Sequence, residues 1–148
     1  AKTLGRSGAN LQLNLVNSAT YVFVLDANNK DAPVLTVQEL PPYGVDTVVY
    51  LKGSMNGWSN NSPMMYAGGN IYSIDISLDA ISYEFKFADA NWAAINYGAG
   101  NGAFTLGEAK ALEYNAGNLS LNVTEAGSYR FSVDASVTDA PVMTITKL

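Results

Sequence analysis

Apolar residues recur at every second position along most of this chain, in short runs. Leu11, Leu13 and Leu15 share one face, as do Tyr21, Phe23 and Leu25. Tyr72, Ile74, Ile76 and Leu78 alternate with Ser73, Asp75 and Ser77, and Tyr83, Phe85 and Phe87 with Glu84, Lys86 and Ala88. Leu119, Leu121 and Val123 continue the rule, followed by Tyr129, Phe131 and Val133. A period of two places successive side chains on opposite faces of a strand, one buried and one wet. Gly, Asn, Asp and Pro punctuate the runs at turn-like intervals. Only residues 106–114 have weak helical character. The pattern predicts an all-β chain, and the length favours an immunoglobulin-like antiparallel β-sandwich.

The strands contain a repeat. Residues 1–40 align without a gap with residues 109–148 at a constant offset of 108, and 17 of the 40 positions are identical. The identities include Asn10/Asn118, Tyr21/Tyr129, Phe23/Phe131, Asp26/Asp134 and Pro33/Pro141. Such self-similarity is the mark of a duplicated unit. The simplest organisation makes residues 41–148 one complete unit and residues 1–40 the last strands of a preceding one. Only one copy can fill a given slot of a sandwich. The spare copy is then expected on a sheet edge or swapped into a neighbour. The permuted arrangement, with residues 1–40 in the slot and 109–148 left over, remains the alternative.

Composition narrows the chemistry. The chain has 148 residues, no cysteine and no histidine. Disulfides and thiolate chemistry are thereby excluded, and with them the usual neutral-pH general base and the commonest transition-metal ligand. No cofactor or metal is expected. Thirteen acidic residues against eight basic ones give a net charge of −5. With no basic cluster, nucleic acid and polybasic membrane contact are not expected as partners. The apolar runs are too short for a spanning helix. No charged segment followed by an apolar one opens the chain, so any secretion leader is expected to have been removed or to be no part of it. Charged residues make up 14% and aromatics 11%, among many Asn, Gly, Ser and Thr. Uncharged polar surfaces carrying aromatics suit neutral polar ligands such as sugars.

Two residues break the alternation that explains the other aromatics. Trp58 follows the turn dipeptide Asn56-Gly57 and precedes a polar run, and Trp92 follows Asp89-Ala90-Asn91 just past a strand. Both are expected at loop tips, where an indole can lie flat on a ligand; the competing reading has them plug the end of the sandwich. Lys86, between Phe85 and Phe87, falls on the face opposite the core. It is either a solvated lysine or a donor to hydroxyls over that face. Asn96 offers an amide beside Trp92 or serves as a turn residue. Tyr97 and Tyr66 could widen the platform. Glycoside hydrolysis needs two carboxyls roughly 5–9.5 Å apart. Here the acidic residues sit singly on strands or in turns, so an enzyme is not expected.

Three stretches together resemble a known pattern: Tyr50-Leu51-Lys52-Gly53-Ser54-Met55-Asn56-Gly57-Trp58, Tyr83-Glu84-Phe85-Lys86-Phe87-Ala88-Asp89, and Trp92. The pattern is that of starch- and glycogen-binding modules of pullulanases, amylases and branching enzymes, related to the glycogen-binding module of AMP-activated kinase β subunits. The pullulanase/amylase-associated variant is further similar in Trp92 with Asn96-Tyr97-Gly98, and in an ending like residues 129–135. The resemblance covers roughly residues 45–148; the connection at residues 78–82 departs from it in lacking glycine.

The resemblance implies a non-catalytic immunoglobulin-like module. Trp58, Trp92 and Lys86, with Asn96, would contact an α-1,4-glucan or maltooligosaccharide. It also implies a place in a larger multimodular protein, outside the cell or on its surface. A structural spacer or docking sandwich without sugar binding is the alternative function.

Overall fold

The computed structural model describes residues 1–5, 8–16 and 18–148; Arg6, Ser7 and Asn17, inside the 1–40 segment, lie outside the described residues. The chain forms β1 (Lys2–Thr3), β2 (Tyr21–Asp26), β3 (Val34–Glu39), β4 (Tyr50–Gly53), β5 (Met65–Gly68), β6 (Ile71–Leu78) and β7 (Ser82–Ala88). These are followed by β8 (Asn96–Gly98), β9 (Ala109–Ala111), β10 (Glu113–Tyr114), β11 (Leu119–Asn122), β12 (Gly127–Asp134) and β13 (Val142–Lys147). Helical structure among the described residues is one 3-10 turn, Ser54–Asn56. The weak helical signal at residues 106–114 is not realised. That segment supplies β9 and β10, because pairing of β9 with β13 overrides a modest local propensity.

Two five-stranded sheets form the sandwich. In one the order is β5-β6-β12-β13-β9. In the other, β4 flanks one side of β7 while β11 and β8 share its other side, with β10 beyond β8. Strand pairings are antiparallel, so the all-β sandwich expected from the alternation is the observed architecture. The core lies between the sheets. Leu51, Phe85, Phe87, Leu119, Phe131 and Ile145 are each 0% exposed. Phe85 and Phe131 meet across the layers edge-to-face at 5.4 Å. Each such side chain contributes roughly 1.5–3 kcal/mol through burial.

Strands β1, β2 and β3, from the 1–40 segment, form a third sheet, ordered β1-β3-β2. It abuts the β5–β6 hairpin. The Tyr66 hydroxyl and the Gly69 N–H (2.7 Å) donate to the Glu39 carboxylate, and Asn70 Nδ2 donates to the Ser18 carbonyl at 2.9 Å.

Strand β7 positions the candidate site. Phe85 and Phe87 face the core, leaving Lys86 on the other face, and β4 does the same with Leu51 and Lys52. Gly53 ends β4 because nothing larger fits there: a Cβ would lie 2.4 Å from the Glu84 carbonyl oxygen and 2.7 Å from the Phe85 Cβ.

Candidate carbohydrate-binding site

The two tryptophans hang from neighbouring strands, each on a loop held by one polar side chain. After β4 the chain turns through the 3-10 segment and Gly57, and returns alongside the strand through hydrogen bonds of Leu51 to Ser62 and Met64 to Val49. Asn56 pins this excursion. Its Nδ2 donates to the Leu51 carbonyl (2.7 Å) and the Ser62 hydroxyl (2.9 Å), and its Oδ1 accepts from the Gly53 N–H (3.0 Å). After β7, the Asp89 carboxylate accepts from four backbone N–H groups, those of Asn91, Ala93, Ala94 and Ile95, at 2.7–3.0 Å. Partial burial would raise this carboxyl, but the four donors outweigh it and hold it below the ordinary carboxylate value. Asp89 is thus the organiser of a loop rather than the solvated acid that its position suggests.

Both loops leave their tryptophan in the left-handed region, with φ 61° at Trp58 and 62° at Trp92. For a bulky side chain that backbone is strained by about 1–3 kcal/mol, and such strain clusters at ligand sites. The two indoles are half-buried neighbours, their ring centres 6.2 Å apart and their planes inclined at 43°.

Trp58, Lys86, Trp92, Asn96 and Asn118 together line a shallow, open cleft of about 330 Å³. The four residues singled out from the sequence therefore meet in one place. Tyr97 and Tyr66 do not join them. Tyr97 is a core residue donating its hydroxyl to the Thr138 carbonyl at 2.9 Å, and Tyr66 is bound to Glu39 under the first sheet. Period two had placed Lys86 correctly on the non-core face, yet that face is not open water. Lys86 is 8% exposed, and burial pulls its ammonium below the ordinary lysine value. No hydrogen bond or ion pair engages its ammonium among the described residues. Asn96 Nδ2 donates to Asn115 Oδ1 at 2.9 Å, while its buried Oδ1 has no partner among the described residues. The cleft thus offers two apolar ring faces and an unpaired ammonium, beside an Asn96 amide whose unused oxygen is buried.

Two contributors escaped the sequence reading. Lys52 stands opposite Lys86 in the β4–β7 register. It is 1% exposed; its Nζ donates to the Ala90 carbonyl at 2.8 Å and sits 4.3 Å from the centre of the Trp92 ring. Burial lowers its pKa, and nearby Asp89 partly restores it. The alternation Leu51-Lys52 was enough to put it on the face opposite the core, though not to choose its cross-strand neighbour. Asn118 arrives on the segment entering β11, and its Nδ2 donates to Glu84 Oε2 at 3.2 Å. Its identity with Asn10 in the repeat was the only signal. A larger hollow of about 530 Å³ lies where residues 18–20 meet residues 40–42, Gly44, Asn70, residues 135–136 and Thr138; among the described residues no charged or aromatic side chain lines it. Among the described residues no three Asp or Glu side chains group as a metal site.

Neither a family model nor a curated protein matches the chain. A solved structure, described as "Ligand induced structure of AmyP-SBD", has the same kind of fold. It superimposes with a TM-score of 0.58 over 95% of this chain and 97% of that one, at 17% sequence identity. That neighbour is by its description a starch-binding domain, and at this identity the likeness shows the fold alone.

Proposed function

We propose that the cleft binds starch-like α-1,4-glucans without catalysis. The observation that carries this reading is the Trp58–Trp92 pair, inclined at 43° with a free ammonium and a half-used amide beside it. Indoles stack on the apolar faces of sugar rings at low entropic cost, because so few torsions are fixed. Inclined platforms suit a chain whose successive rings turn, as in helical α-1,4-glucan, and serve a flat ribbon poorly. Lys86 would donate to ring hydroxyls, and Asn96 would join it once its amide, whose unpartnered Oδ1 is buried in the free protein, turns towards the cleft. The fold shared with the AmyP starch-binding domain supports the same reading.

An open cleft of this size should bind weakly, at about −4 to −8 kcal/mol, or about millimolar to micromolar dissociation constants. Titration with maltoheptaose, with cellohexaose as control, is the test. Saturable binding of the first alone, lost in both Trp58→Ala and Trp92→Ala, is the expected result. No binding to maltoheptaose or granular starch, or binding unchanged in both variants, defeats the proposal. In this reading the module brings an attached enzyme or scaffold to starch outside the cell, where several weak sites on one polymer reinforce each other.

A further inference from the structure

The first sheet repeats the closing half of the sandwich pair by pair. Lys2 pairs with Leu35 and Thr3 with Val34, as Lys110 pairs with Met143 and Ala111 with Val142. Tyr21 pairs with Glu39 and Phe23 with Val37, as Tyr129 pairs with Lys147 and Phe131 with Ile145. Register and strand order are the same, β1-β3-β2 against β9-β13-β12. The surroundings differ. Phe131, Leu119 and Leu121 are at most 1% exposed, whereas their counterparts Phe23, Leu11 and Leu13 are 58%, 51% and 49% exposed.

What is missing can be named, because the same interface exists once in this chain. Phe131 is covered by Phe85 of β7, and the outer edge of β12 is paired with β6. At the equivalent place on the first sheet lies a groove of about 510 Å³ between Leu11, Leu13, Phe23, Leu35 and Val37. Among the described residues no strand pairs with β2 on the side away from β3. An apolar face beside an open strand edge is a binding surface in waiting. A second copy of this chain has no free layer to offer, since its own residues 109–148 already close its residues 41–108.

We propose that residues 1–40 are the closing half of a further sandwich, and that their groove seats a strand layer built like residues 41–108, joined ahead of Ala1. A β6-like strand would extend the sheet at β2, and a β7-like strand would place an aromatic ring in the groove against Phe23. This inference is independent of glucan binding.

The test adds a second copy of residues 41–108 directly ahead of Ala1 of the full chain. Amide exchange over Tyr21–Asp26 and Val34–Glu39 should slow by roughly a hundredfold relative to the 148-residue chain, and binding of the dye ANS should fall. Phe23→Asp in the extended chain should restore fast exchange there while leaving residues 41–148 protected. Unchanged exchange and dye binding overturn the proposal. Should the extended chain prove insoluble, a full-length chain carrying a copy of residues 1–40 in place of 109–148 decides. A cooperative melt supports the proposal, and absence of one overturns it. A dimer of the 148-residue chain that Phe23→Asp dissociates would also overturn it, making a second copy the occupant.

Discussion

The Lys52 ammonium lies 4.3 Å from the centre of the Trp92 ring and donates to the Ala90 carbonyl, so one buried cation holds both the ring and its loop. Lys52→Met keeps the apolar stem and removes both contacts. Cation–π attraction at a desolvated site is worth about 2 kcal/mol, so maltoheptaose affinity should drop by up to about thirtyfold by calorimetry. The melting temperature should hold or rise, since a buried charge has been removed. Unchanged affinity would show that the ring needs no support from below.

Asp89 makes the Trp92 loop sensitive to acid. Its carboxyl is held below the ordinary value, so its stabilisation is complete above the unfolded value of 3.8 and is lost as pH falls through the lower folded value. Asp89→Asn, which cannot accept four N–H groups equally well, should cost about 1–3 kcal/mol at neutral pH. It should also flatten the acid limb of the stability profile below pH 3.8. Parallel acid limbs for variant and wild type in denaturant titrations would refute this.

The left-handed backbone at Trp58 gives a different signature. Trp58→Gly and Trp58→Ala remove the same ring, but alanine keeps a Cβ that this conformation disfavours. The glycine variant should be the more stable of the two, by about 1 kcal/mol, in chemical denaturation. Both should lose maltoheptaose binding. Equal stabilities would mean that the loop relaxes once the indole is gone.

Alkaline pH should loosen the first sheet. Burial, followed by the bond to Glu39, pushes the Tyr66 phenol from 10.0 up to about 12. A raised tyrosine value stabilises the folded chain fully below 10.0, and the contribution is lost as pH climbs towards 12. Tyr66→Phe should remove this part of the alkaline loss. It should also speed amide exchange in Val34–Glu39 at neutral pH, because Glu39 keeps the Gly69 N–H but loses the phenol.

The sequence showed what depends on local periodicity. Phe85 and Phe87 had to face one way and Lys86 the other, and tryptophans after Asn-Gly and Asp-Ala-Asn had to leave the strands. It could not show that Lys52 faces Lys86, because the β4–β7 register joins segments more than thirty residues apart. Asn118 was hidden for the same reason, reaching the cleft through the pairing of β11 with β7. Residues 106–114 misled because Leu, Glu, Ala and Lys favour a helix where no partner strand is in view. Asp89 looked like a surface acid because its four partners are backbone groups, which carry no side-chain signature.

The register that sets Lys52 opposite Lys86 also sets Leu51 opposite Phe87. A slip of β4 by one residue against β7 would drive the Lys52 ammonium into the core and turn Leu51 out beneath the tryptophans. The framework under the cleft therefore has little freedom to drift by small steps, since a strand error forfeits folding and binding together. Change in what this surface recognises has to enter through the two loops, whose tips can be rewritten while Asn56 and Asp89 keep holding them in place.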